Sequence, residues 1–176
     1  MQVYEVAVLG KPITQGSMRK SRGGHIVHDK ADQLHAWRQA IEDAFYEKYG
    51  TDGTWVPIDK AVRVEVIITV PRTHSMTAGV PEFADTRPDV DKLARAIGDA
   101  LSPGTSSKVK TGLRAGQKHF RMLAEDGRIV SWGAQKTYPW GNHTHRAALA
   151  EPGAQIRVVV LSGISRADMR AWGYHA

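Results

Sequence analysis

The stretch Val62-Arg63-Val64-Glu65-Val66-Ile67-Ile68-Thr69-Val70 constrains the fold of this chain more than any other. Its even positions are all β-branched and apolar, and strict alternation of that kind predicts a strand with one face in a core. Pro71 ends it. Other strand signals supply partners: residues 2–9, with Tyr4, Val6 and Val8 on one face; a short piece at 25–28; about 128–134, with Val130 and Trp132 on one face; and 156–161. Helical periodicity lies between them. Asp29 or Asp32 can cap a helix running to about Lys48, with Leu34, Trp37, Ile41 and Phe45 as its core stripe and Gly50 where helix C-termini commonly close. Val90, Leu93, Ala94, Ile97, Ala100 and Leu101 recur every three or four residues as a second helix, with Pro88 in its first turn. Residues 165–172 read as a short closing helix. This order is neither a regular βαβ alternation nor all-β, so it predicts an α+β fold, a mixed β-sheet with helices packed on it, in a single domain over residues 1–176.

Two segments break the periodicity. Residues 11–24 hold Lys11, Arg19, Lys20 and Arg22 among glycines and read as a basic irregular loop. Residues 102–118 carry Lys108, Lys110, Arg114 and Lys118 with no acid, and read as a basic mobile insertion. Lysine and arginine number 24 against 18 acids, and the formal net charge of +6 makes a polyanion a plausible partner. The chain has no cysteine, which excludes disulfides, thiolate metal sites and cysteine nucleophiles. No apolar run approaches the roughly 20 residues of a membrane helix. The first residues lack the basic and apolar regions of a signal peptide, so a cytoplasmic protein without a membrane partner is expected. A phosphate-cradling glycine loop with its lysine is missing, which argues against an ATP-driven enzyme. His143 and His145 lack a third partner for a metal, and His25 and His28 suit a surface or DNA contact better than zinc. Trp55, Trp132, Trp140 and Trp172 are expected in the core or at a dimer contact.

The acids with a chemical reading lie at the second helix. Asp89 and Asp91 stand at its start, and Asp91, Arg95 and Asp99 are spaced by four, which stacks them on one stripe. Crowded carboxylates raise one another's pKa unless a cation neutralises them, and magnesium takes oxygen ligands. Capping and the helix dipole also favour aspartates in a first turn with no catalytic purpose. Asp99 lies near the opposite end, where negative charge opposes the dipole; it is either part of a site or a partner for Arg95.

The run from Thr86-Arg87-Pro88-Asp89-Val90-Asp91-Lys92-Leu93 to Gly98-Asp99-Ala100-Leu101 resembles the central motif of the RusA family of Holliday-junction resolvases, crossover junction endodeoxyribonucleases. In that motif Pro-Asp-x-Asp-Asn-Leu leads into a helix ending Asp-Ala-Leu. Gly10 to Arg19 is similar to the family's basic loop, Trp37 to an aromatic of its first helix, and Glu125-Asp126-Gly127-Arg128-Ile129-Val130, followed by Lys136, to its Asp-Asp-Ser-x-Ile strand entry. The resemblance spans about residues 3–161. It implies a homodimer that binds branched DNA, four-way junctions above all. It also implies paired magnesium-dependent nicks on opposing strands, with manganese able to substitute, leaving 5′-phosphate and 3′-hydroxyl ends.

Carried over by position, Asp89, Asp91 and Asp126 are the catalytic carboxylates and metal ligands, and Asp99 supports them. The basic residues Lys11, Arg19, Lys20, Arg22, Lys92, Lys108, Lys110, Arg114, Lys118 and Lys136 are expected to contact DNA, those of 102–118 on their charge alone. The chain departs from the pattern at Lys92, where the family has asparagine, at Glu125, where it has aspartate, and in the length of residues 102–124. A catalytic lysine of the family corresponds to Arg95, which can stabilise transition-state charge but cannot act as a base. The alternatives are a DNA-binding protein of the same fold that has lost cleavage, and an interaction protein that needs none of these acids.

Overall fold

The computed structural model describes residues 2–16, 18–20, 26–28, 31–73, 76, 83–105, 107–139 and 147–161. The elements follow as β1 (Gln2–Leu9), β2 (Met18–Lys20), β3 (Ile26–His28), α1 (Ala31–Tyr49), β4 (Val62–Thr69), α2 (Val90–Leu101), a one-turn 3-10 helix (Asp126–Arg128), β5 (Ile129–Thr137) and β6 (Gly153–Val160). The alternating segment is the inner strand β4, and Val62, Val64, Val66 and Ile68 are all buried. The four-stranded sheet runs β1-β6-β4-β5; β6 is antiparallel to β1 and β4, and β4 and β5 are parallel. Parallel neighbours need a crossover between them, and α2 with the chain after it supplies one. The fold is α+β with a mixed sheet, as the order of elements predicts. Among the described residues no helix is long and apolar enough to cross a membrane.

Helix α1 buries Leu34, Trp37, Ile41 and Phe45, the stripe expected from its sequence. Helix α2 buries Leu93, Ala96, Ile97, Ala100 and Leu101. These side chains join the apolar residues of the strands in one core. The opposite face of α2, with Asp91 and Arg95, is exposed.

Several expectations need correction. Part of the 11–24 loop is regular, because Met18–Lys20 pairs antiparallel with Ile26–His28. Helix α2 starts at Val90, not Pro88. Asp89 is extended, at φ −69° and ψ 135°, and its carbonyl accepts the first helical bond from Leu93 N at 3.2 Å. The Pro88 carbonyl accepts instead from Lys136 Nζ at 2.8 Å, and the Arg87–Pro88 bond is cis. Asp32 lies inside the first turn of α1 rather than capping it, and Asp29 lies outside the described residues. Gly50 does follow α1, but for close approach, not a left-handed turn. A Cβ there would come within 2.6 Å of the Phe120 ring.

Val130 and Trp132 do not share a face. The β4–β5 register matches Val62 with Ile129, then Arg63 with Ser131 and Val64 with Trp132, stepping past Val130. Such a bulge bends the strand and re-aims its side chains. It puts Ile129 on the same side as Trp132 and leaves Val130 59% exposed. The expected closing helix at 165–172, and His25, His143, His145, Trp140 and Trp172, lie outside the described residues.

The segment expected to be a mobile insertion is anchored. Val109 N bonds Gln117 O at 3.0 Å, Gly116 N bonds Val109 O at 2.8 Å, and Lys108 and Lys118 form an antiparallel bridge. Arg114 is buried, and its Nη1 lies 2.7 Å from Glu42 Oε1 and 2.9 Å from Asp43 Oδ1. Its guanidinium also sits over the Tyr46 ring, 4.3 Å from the centroid. Phe120 N donates to Glu42 Oε1 at 2.7 Å, and His119 Nδ1 lies 2.6 Å from Glu42 Oε2. The chain then meets the core again, with Leu123 N bonding Leu101 O at 2.9 Å and Ala124 N bonding Ile58 O at 3.0 Å. The long excursion is thereby fixed to α1 and to the end of α2 immediately before Asp126.

Candidate functional site

An open groove of about 530 Å³ runs between α2 and β5, lined by Val90, Asp91, Ala94, Arg95, Gly98, Asp99, Asp126, Ile129, Trp132 and Ala134. The i, i+4 spacing along α2 gives the Asp91, Arg95 and Asp99 stripe, and the anchored excursion delivers Asp126 from the other side. The turn that carries Asp126 is held by Arg128, whose Nε donates to Asp59 Oδ1 at 2.7 Å and whose Nη2 lies 2.8 Å from Glu125 Oε1. Glu125 is therefore engaged outside the groove. Asp91, Arg95 and Asp126 are exposed, and among the described residues no hydrogen bond or ion pair engages their side chains.

Asp99 is engaged, though not by Arg95. Arg38 of α1 donates to both Asp99 and Gln15. Gln15 N in turn bonds Lys92 O at 3.1 Å, which ties the loop after β1 to α2. Burial lowers the Arg38 pKa and the Asp99 charge opposes that shift, so the guanidinium remains a cation. Asp99 thus ties α2 to α1 while also lining the groove.

Asp89, the third expected carboxylate, does not line the groove. It forms an ion pair with Lys92 at 2.8 Å. The hydrogen bond and charge of Lys92, aided by Arg87 and Lys136, hold its carboxyl below the usual carboxylate range. Lys136 also donates to the carbonyls of Thr86 and Pro88, so it braces the turn before α2 from the same row of β5 as Ile129, Trp132 and Ala134. Sequence reading took it for a DNA contact. Lys11, Lys108, Lys110 and Lys118 are exposed; Arg19 and Lys20 fall on β2, and Arg22 lies outside the described residues. Arg114 is withdrawn from the DNA contacts, because its guanidinium is buried against Glu42 and Asp43.

The donors in the groove are carboxylate oxygens, the type a hard divalent cation takes, and magnesium is commonly held by one or two carboxylates plus substrate phosphate. Asp91 and Asp126 fit that description. Among the described residues no three acidic or histidine side chains form a ready cation cluster. A second hollow, of about 470 Å³, crosses β1, β6 and β4 and includes Glu65 and Arg157. Glu65 is paired there with Arg157 at 3.1 Å and with Arg63 at 2.9 Å, so it has less to offer a ligand.

Arg38 escaped sequence reading, as did the place of Trp132 in the groove and the bracing role of Lys136. Trp132 and Lys136 lie at alternate positions of one strand row, a signal that the bulge before them obscured. No protein-family model matches this chain, and no curated protein is significantly similar to it.

Proposed function

We propose that this chain is a magnesium-dependent, structure-selective endodeoxyribonuclease of RusA type that resolves four-way DNA junctions by paired nicks as a homodimer. One observation carries the reading: Asp91, Arg95 and Asp126, from two separate elements, line one groove without described partners.

Asp91 and Asp126 would hold the cation through their carboxylate oxygens. Magnesium, or manganese in its place, would lower the pKa of a bound water and so supply hydroxide near neutral pH. Arg95 faces the same space and stabilises charge on the phosphate under attack; it stays protonated and takes no proton. Asp99, through Arg38 and Gln15, sets the position of α2 against α1 and the loop after β1. Asp89, paired through Oδ2 with Lys92 and outside the groove lining, would join the donors only if its side chain turned into the groove. The net charge of +6 and the exposed lysines draw the substrate in.

The direct test is incubation of the purified chain with a synthetic four-way junction and magnesium, with linear duplex as control. Symmetrical nicks in opposing strands are expected, absent in the Asp91→Asn variant. Tight junction binding without nicks would favour the second reading, a DNA-binding protein of this fold that has lost cleavage. The pairing of Asp89 with Lys92 is the observation on that side.

A further inference from the structure

Phosphodiester hydrolysis needs only the charged half of the groove. The other half is apolar, a wall made by Val90, Ala94, Gly98, Ile129, Trp132 and Ala134. Trp132 dominates it and is 40% exposed. Gly98 has no side chain, and a Cβ there would come within 3.1 Å of Trp132 Cζ2, so the indole lies close against α2. One edge of the ring thus packs on α2, and Trp132 lines the same groove as Asp91, Arg95 and Asp126.

A fixed, half-exposed aromatic beside phosphate-directed groups has the chemistry to receive a nucleobase. Every base has a π-face, so stacking on an aromatic is tolerant of sequence. We infer that Trp132 and the apolar wall hold one unstacked base of the DNA substrate, adjacent to the phosphate engaged by Asp91, Arg95 and Asp126. This rests on the nuclease reading above and narrows its substrate class. A base at a branch point or mismatch costs less to unstack than one inside a continuous duplex. The groove therefore selects DNA whose base beside the cut is unpaired or readily freed, through capture of that base and not through the shape of the arms alone.

The test couples the ring to the base. Junctions carrying an abasic nucleotide in turn at each position flanking the branch are bound by the wild-type chain and by Trp132→Ala, without divalent cation. At one position the wild type should lose roughly five- to 150-fold in affinity, the range for stacking one base on an aromatic. Trp132→Ala should be weaker on the intact junction and lose nothing more at that position, while Trp132→Phe keeps most of the coupling. Trp132→Leu retains apolar bulk and replaces the alanine variant if that one unfolds; it too should lack the coupling. Losses that multiply independently at every position would overturn base capture, and if the wild type still nicks the intact junction, the nuclease reading survives. A Trp132→Ala chain that changes oligomeric state with no base coupling at any position would assign the wall to a second copy and also overturn the inference. A wild type that shows the coupling in binding but never nicks would support base capture and sink the nuclease reading instead.

Discussion

Two carboxylate–arginine clusters in this chain use the same chemistry to opposite ends. Around Glu42, both carboxylate oxygens are engaged by Arg114, His119 and Phe120 N, and the side chains of Glu42 and Arg114 are 3% and 7% exposed. In the groove, Asp91, Arg95 and Asp126 are exposed and have no described partner. Charges taken out of water must be matched by geometry or they destabilise the fold, whereas charges left in water cost little and remain available. The first cluster holds the chain together; the second lies open to solvent.

The strongest way to break that contrast is to neutralise one acid on each side. Asp91→Asn should reduce magnesium-dependent nicking by about 10²–10³ or more, the scale of removing one charge-stabilising group from an active site. Junction affinity and the urea midpoint should hold, and affinity can even rise as a repulsive charge disappears. Asp126→Asn should behave alike. An Asp91→Asn chain that loses stability in step with activity would make the groove another structural cluster.

Glu42→Ala is the converse and should destabilise the fold by about 3–5 kcal/mol, because it strands a buried arginine. Urea unfolding measures it. Replacing Glu42 and Arg114 together by methionine should lose less, since no buried charge then lacks a partner. A Glu42→Ala midpoint equal to wild type would remove the cluster as the anchor of residues 102–124.

The third test separates exposed from buried cations within one segment. Glutamine at Lys108, Lys110 and Lys118 together should flatten the slope of log affinity against log salt by up to about 2.7 units per subunit, at about 0.9 per phosphate contact. Arg114→Gln should leave the slope unchanged and lower the melting temperature. The reverse pattern would return Arg114 to the DNA surface.

Arg95→Lys is the smallest perturbation. Charge is retained, so the nicking rate should change by less than about tenfold. A new basic limb in the pH–rate profile of the variant would show lysine doing proton chemistry that arginine cannot.

What the sequence disclosed follows from the range of the forces involved. The stripe Leu34, Trp37, Ile41 and Phe45, the alternation of β4, and the row Asp91, Arg95 and Asp99 are set by local periodicity, and each is found as read. Arg95, on its own helix, was the near candidate partner for Asp99, whereas tertiary packing brings Arg38 to it. Arg114 looked free because its partners lie on α1, and Glu42 reads as an ordinary helix acid even though it borders Ile41 in the core stripe. The face of Val130 was misassigned because a register step is decided between strands, not along one.

The position of β5 in the sheet leaves one wall of the groove on an edge strand. Among the described residues β5 pairs along one side only, with β4, while α2 is held by a buried face. Releasing one ladder of backbone bonds is enough to loosen the strand, and Asp126 sits at its entry. The groove can therefore come apart by fraying at one edge while the core around β4 stays folded. Amide hydrogen exchange along Ile129–Thr137 measures how often the strand that forms one wall of the groove opens from β4.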